Sequence, residues 1–121
     1  MTSALVLFAH GSRDPEWAAP FRAVQQKVAA MKPGLAVDLA FLEIMQPSLP
    51  EAVDALVASG QQRVTIAPLF MAQGAHLKRD LAKLVADVRE RHPQLDVQLL
   101  PAVGEVDSVI DAMSAWLAQR S

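Results

Sequence analysis

The chain has 121 residues, a formal charge of −2 and no cysteine. That length suits one domain, residues 1–121, with a core of its own, and the missing cysteines exclude disulfides, thiolate metal sites and thiol catalysis while fitting a reducing cytosol. Charges of both signs are mixed without a basic stripe, which argues against nucleic acid, and the N-terminal apolar run is too short and lacks the basic flank of a signal peptide or membrane span.

Residues 4–9 form a continuous apolar run, the pattern of a strand buried on both faces of a parallel sheet. A loop over 10–15 follows, with Asp14 suited to cap a helix and Pro15 to its first turn. Trp17, Phe21, Val24, Val28 and Met31 recur at helical spacing, which predicts an amphipathic helix over 15–31, ended by Lys32-Pro33-Gly34. Residues 37–42 read as a second strand closing on Glu43. Ser48 then caps a second helix, with Leu49 at N1, Pro50 in the first turn and Gly60 just past the end.

Residues 63–70 read as a third strand, rich in β-branched and apolar side chains. Leu77, Leu81, Leu84, Val85 and Val88 predict a third helix over 74–91, stopped by His92-Pro93. The alternation of Asp96, Val97, Gln98 and Leu99 within 95–100 marks a fourth strand at a sheet edge. A final helix over 106–119 carries Val109, Ile110, Met113, Trp116 and Leu117. The order βαβαβαβα predicts an α/β domain, a four-stranded parallel sheet with helices on both faces in the flavodoxin-like manner. Trp17 and Trp116 are expected in a core or an interface, and an apolar fraction of 52% is enough to supply both.

In such a sheet the strands end on one edge, where open α/β folds place their ligands. The first strand runs into His10, the second into Glu43, and the third leads through Gly74-Ala75 to His76. Two imidazoles and a carboxylate suit a divalent first-row metal, and three ligands leave coordination positions open. A neutral imidazole can also accept a proton near neutral pH. Arg13 near His10, and Lys78 and Arg79 after His76, are either solvated charges or contacts for an anionic substrate. Met71 either packs or walls a pocket, and His92 reads as structural at a helix C-terminus.

Other motifs fail at identifiable places. No G-x-G-x-x-G follows the first strand, no G-x-x-x-x-G-K-[ST] occurs, and Ser12 is not in G-x-S-x-G. The turn His10-Gly11-Ser12-Arg13 is superficially similar to the phosphohistidine phosphatases, but Ala9 stands where that family has arginine.

Three blocks carry a fuller likeness: Leu7-Phe8-Ala9-His10-Gly11-Ser12-Arg13-Asp14-Pro15; Phe41-Leu42-Glu43 with Pro47-Ser48-Leu49; and Pro68-Leu69-Phe70-Met71-Ala72-Gln73-Gly74-Ala75-His76-Leu77-Lys78-Arg79-Asp80-Leu81. With them the chain resembles the short CbiX-type sirohydrochlorin chelatases, class II tetrapyrrole chelatases of cobalamin and siroheme synthesis. The resemblance implies a chelatase-like half-domain that inserts cobalt or ferrous iron into sirohydrochlorin without ATP, in the cytoplasm. It implies no prosthetic group, the metal being a substrate, and nickel suits the same ligands. His10 and His76 are the implied metal ligands, with Glu43 as third participant. Ser12, Arg13, Met71, Gly74, Lys78 and Arg79 are the implied contacts for the tetrapyrrole. Longer relatives hold two such domains, so the resemblance also implies a homodimer. The alternatives are a non-catalytic metal or tetrapyrrole carrier, a phosphoryl-transfer enzyme with His10 as nucleophile, and a structural half-domain that works only with a partner chain.

Overall fold

The structure, a computed structural model, describes residues 2–121. In chain order the elements are β1 (Ser3–Ala9), a 3₁₀ turn (Pro15–Ala18), α1 (Ala19–Met31), β2 (Ala36–Phe41), α2 (Leu49–Ala58), β3 (Arg63–Pro68), α3 (Ala75–Arg91), β4 (Asp96–Leu99), a second 3₁₀ turn (Val103–Glu105) and α4 (Asp107–Ala118). The strands form one parallel sheet in the order β2-β1-β3-β4. β1 is central, and Leu7 stands opposite Leu39 of β2 and Ala67 of β3.

Strand alternation divides the apolar side chains between two layers. Val6, Phe8, Val64, Ile66 and Val97 face α2 and α3, where Leu49, Val53, Leu56, Leu81, Val85 and Val88 meet them. Leu7, Val37, Leu39 and Phe41 face the other way and receive Trp17, Phe21 and Val28. Helices thus cover both faces, as α/β alternation requires. Val6, Phe8, Val64, Ile66 and Val88 are completely shielded, so truncating any of the large ones to alanine costs about 2–5 kcal/mol.

The predicted continuous helix over 15–31 is broken in the structure. Asp14 caps a separate 3₁₀ turn by accepting from the Glu16 amide (2.9 Å), and α1 starts again at Ala19. Pro20 is the cause: it has no amide to donate and is tolerated only in a first turn, so the α-helix has to begin just before it. The end of the third strand also moves, since β3 stops at Pro68 instead of running to Phe70. At the far edge of the sheet, the His92 imidazole lies 2.7 Å from the Asp54 carboxylate, which also binds Arg91. These contacts tie the end of α3 to α2.

α4 differs from the other helices in what it packs on. Like α1 it has no buried residue, but it meets chiefly the neighbouring 3₁₀ turn, whereas α1, α2 and α3 each pack on strands. Trp116 and Leu117 are 58% and 57% exposed, so of the two expected roles, core or interface, the core is excluded for Trp116, while Trp17 joins the α1 layer.

The start of α2 supports the loop that bears Glu43. Ser48 and Glu51 form a reciprocal capping box: the Ser48 amide donates to the Glu51 carboxylate (2.9 Å), and the Glu51 amide donates to the Ser48 hydroxyl (3.3 Å). Bonding from the Ser48 amide, then from its hydroxyl, lowers the Glu51 carboxyl below its ordinary value. A carboxyl lowered on folding adds stability above its unfolded value, about 4.3, and loses that contribution as pH falls through the folded value. Ser48→Ala removes the cap hydroxyl from the Glu51 amide and is expected to cost about 1 kcal/mol at neutral pH. In urea denaturation the gap between wild type and variant should narrow below about pH 4.3.

Candidate functional site

Past the regular ladder, β1 and β2 stay joined. The Leu42 amide donates to the Ala9 carbonyl (2.8 Å) and the Glu43 amide to the His10 carbonyl (3.0 Å). Backbone pairing alone therefore sets His10 and Glu43 side by side. Gly11 permits this approach: its φ is +101°, and an added Cβ would stand 1.9 Å from the Glu43 carbonyl oxygen.

The exposed His10 ring lies against Phe70, with centroids 4.6 Å apart and planes inclined by 51°. Phe70 is buried and meets Phe8 edge-on at 5.9 Å, so the core itself supports the imidazole. Ser12 shapes the next turn, its hydroxyl accepting from the Asp14 amide (3.1 Å), which leaves Arg13 exposed at the tip.

Glu43 begins a loop closed at its base by the Phe41 amide, which donates to the Pro47 carbonyl (2.9 Å). Leu42 packs into the α2/α3 layer and Met45 into the α1 layer. Between these anchors the Met45 amide donates to the Glu43 carbonyl (2.7 Å) across Ile44, whose φ is +69°. This is the rarer, strained form of γ-turn. For a β-branched residue the conformation costs about 1–3 kcal/mol.

His76 is exposed in the first turn of α3. Gly74 occupies the N-cap and supplies no side-chain oxygen, and the first turn contains no acidic residue. Lys78 and Arg79 add cationic charge to the positive end of the helix, the arrangement a helix dipole disfavours unless anions approach. Among the described residues the ion pairs are Arg63–Asp96, Arg91–Asp54 and His92–Asp54. None involves Arg13, Lys78 or Arg79.

The segment before α3 is held by residues that sequence reasoning did not single out. The Gly104 amide donates to the Phe70 carbonyl (2.9 Å), and the Gln73 amide donates to the Glu105 carboxylate (3.2 Å). A Cβ on Gly104 would stand 2.0 Å from the Met71 carbonyl oxygen. The Gly following a strand-end histidine was a visible signal at Gly11; Gly104 and Glu105 act on a segment far away in sequence, 32 residues from Glu105 to Gln73, and offered none. Met71, at the tip of that segment, is 66% exposed.

All three candidate ligands therefore stand on the carboxyl edge of the sheet. His10 and Glu43 are brought together by backbone, while His76 comes from the adjoining helix start. Among the described residues no group of three His, Asp or Glu side chains is gathered closely enough to hold an ion. A groove of 590 Å³ lies at the opposite edge, between Gln61, His92 and Asp96, and contains none of the candidate residues. The chemistry points to the carboxyl edge and not to that concavity.

A parallel sheet in the order 2-1-3-4 changes winding direction between β1 and β3, the place where doubly wound domains bind ligands. Fold and edge together define a doubly wound α/β domain whose candidate ligand edge carries His10, Glu43 and His76. The CbiX family model matches residues 4–120, and the chain belongs to the CbiX family. It is 32% identical over 89 residues to the sirohydrochlorin cobaltochelatase of Methanocaldococcus jannaschii, covering 74% of this chain and 62% of that one. To the sirohydrochlorin ferrochelatase of Priestia megaterium it is 27% identical over 110 residues, 91% of this chain and 41% of that one. The chain spans 57–62% of the length of the cobaltochelatases it matches.

Two solved structures share the fold. The CbiX protein of cobalamin biosynthesis from Marinobacter aquaeolei superposes with a TM-score of 0.84 at 24% identity, covering 98% of this chain and 96% of that one. The chelatase SirB of Bacillus subtilis, solved with cobalt, gives 0.82 at 23% identity over 98% of this chain and 51% of its own.

The glycine contacts make a direct test. Gly11→Ala and Gly104→Ala are each expected to cost about 1–3 kcal/mol in urea denaturation, because backbone and not a flexible side chain has to yield.

Proposed function

We propose that the chain catalyses ATP-independent insertion of a divalent metal, cobalt or ferrous iron, into sirohydrochlorin in the cytoplasm. The observation that carries this reading is the pairing of His10 with Glu43 at the end of the central strand, on the edge where α3 brings His76, followed by Lys78 and Arg79. Membership of the CbiX family and likeness to curated sirohydrochlorin chelatases support it.

In this reading His10, His76 and Glu43 bind the incoming ion as a substrate. An incompletely gathered ligand set favours release, since a closed four-ligand site would retain its metal. Insertion breaks two pyrrole N–H bonds and forms metal–nitrogen bonds, with no change of oxidation state. The two protons pass to an imidazole or to Glu43 and then to water. The carboxylates around the macrocycle meet Arg13, Lys78 and Arg79, and Ser12 and Gly74 border the same edge. Met71 offers the ring an apolar wall.

The active unit in this reading is a homodimer. Support comes from α4, whose Ala112, Met113, Trp116 and Leu117 line an open apolar groove of 410 Å³. A 12-residue helix with no buried residue is marginal by itself in water and gains stability from a partner surface. The wild type is expected to run as a dimer in light-scattering mass measurement, and Trp116→Asp combined with Leu117→Asp to run as a monomer; a monomeric wild type would overturn the dimer.

The decisive assay follows the absorbance of sirohydrochlorin with Co²⁺, and anaerobically with Fe²⁺. Wild type should accelerate the spectral change, and His10→Ala and His76→Ala should each slow it at least 100-fold. No acceleration by wild type, or wild-type rates in both variants, would refute the proposal. Stoichiometric binding without turnover would identify a carrier instead.

A further inference from the structure

Folding accounts for the turn at Ile44 but not for the choice of an exposed isoleucine there. Its φ of +69° lies in the left-handed region that β-branched residues avoid, and its side chain is 60% exposed. A strained residue normally recovers its cost through burial or a hydrogen-bonded side chain, and an exposed isoleucine has neither. The strain is nevertheless enforced from both sides. Leu42 is anchored in one apolar layer and Met45 in the other. The Glu43 amide is bonded to His10 and the Glu43 carbonyl accepts from Met45. The chain between these points can only turn outward, and it turns outward at an aliphatic side chain adjacent to Glu43.

A second observation points the same way. Met71, on the loop after β3, is also large, apolar and 66% exposed. β2 and β3 lie on either side of β1. Ile44 and Met71 therefore rise from the two loops that flank the strand leading to His10. Two exposed apolar side chains beside an imidazole and a carboxylate suit a ligand with a flat apolar face and a charged periphery. Strain held at such a position is the usual mark of a preorganised contact.

We infer that Ile44 is a substrate-contact residue, held out by its γ-turn as an apolar wall that, with Met71, receives the face of the macrocycle at the His10–Glu43 end. This rests on the reading of the chain as a sirohydrochlorin chelatase. The γ-turn sets the direction of the side chain before substrate arrives, so the contact needs no ordering at binding.

The test separates contact from fold. Asparagine accepts the left-handed region more readily than isoleucine but is polar, whereas leucine keeps the apolar surface. Metal-free sirohydrochlorin is titrated into wild type, Ile44→Asn and Ile44→Leu, followed by absorbance, with thermal melting in parallel. Ile44→Asn is expected to melt no lower than wild type and to bind about tenfold more weakly, the loss appearing in KM and not in kcat. Ile44→Leu is expected to bind within about threefold of wild type. Wild-type affinity in Ile44→Asn overturns the inference, as does a lower melting temperature, since the residue would then be serving the fold. If wild type itself neither binds nor metallates sirohydrochlorin, the chelatase reading fails and the inference fails with it.

Discussion

The structure depends on β1 being paired on both sides. Its backbone is hydrogen-bonded to β2 and β3, and its side chains enter both apolar layers. A strand so placed cannot slip by one residue, because every side chain would change face and Phe8 would exchange places with Leu7. The same pairing continues past Ala9, so the register of the core becomes the register of the site. His10 and Glu43 adjoin because Ala9 and Phe41 do.

Three loops meet at that edge, and each is held by a different means. The loop after β1 is shaped by Ser12 and Asp14 through short-range bonds to amides. The loop after β2 is pinned by two half-buried side chains, Leu42 and Met45, and by the capping box of α2, which forces the strained turn at Ile44. The loop after β3 is steadied from outside by Gly104 and Glu105. Anchored backbone with exposed side chains suits the proposed uptake of an ion and a wide flat ligand. Lys78 and Arg79, early in α3, would add attraction for the carboxylates of the proposed substrate.

The molecule is less finished at its other end. α1 covers the β2–β1 half of one sheet face, while α4 stays off the sheet and leaves Trp116 and Leu117 in solvent. Apolar exposure of this kind marks an interaction surface more often than a defect. SirB, about twice the length covered by this chain, shows that the same half-domain fold also occurs within a longer protein.

The sequence by itself determined the elements and the edge on which they work. Uninterrupted apolar runs, helical spacing and the turn residues Gly34, Ser48 and Gly60 act over a few positions, so their outcome could be read locally. The alternation of strands and helices then required His10, Glu43 and the start of α3 to share one side. Pro20 carried a local signal too, and it explains why the helix over 15–31 is divided. What only the tertiary structure decided arises between segments far apart. The support of His10 by Phe70, the fit of Gly11 against Glu43 and of Gly104 against Met71, and the outward turn at Ile44 depend on how close two backbones come. No pattern within either segment encodes that distance, because it is set by packing and strand register. The same reason left Trp116 undecided: its helix is plainly amphipathic, but only the folded chain shows that the sheet does not receive it.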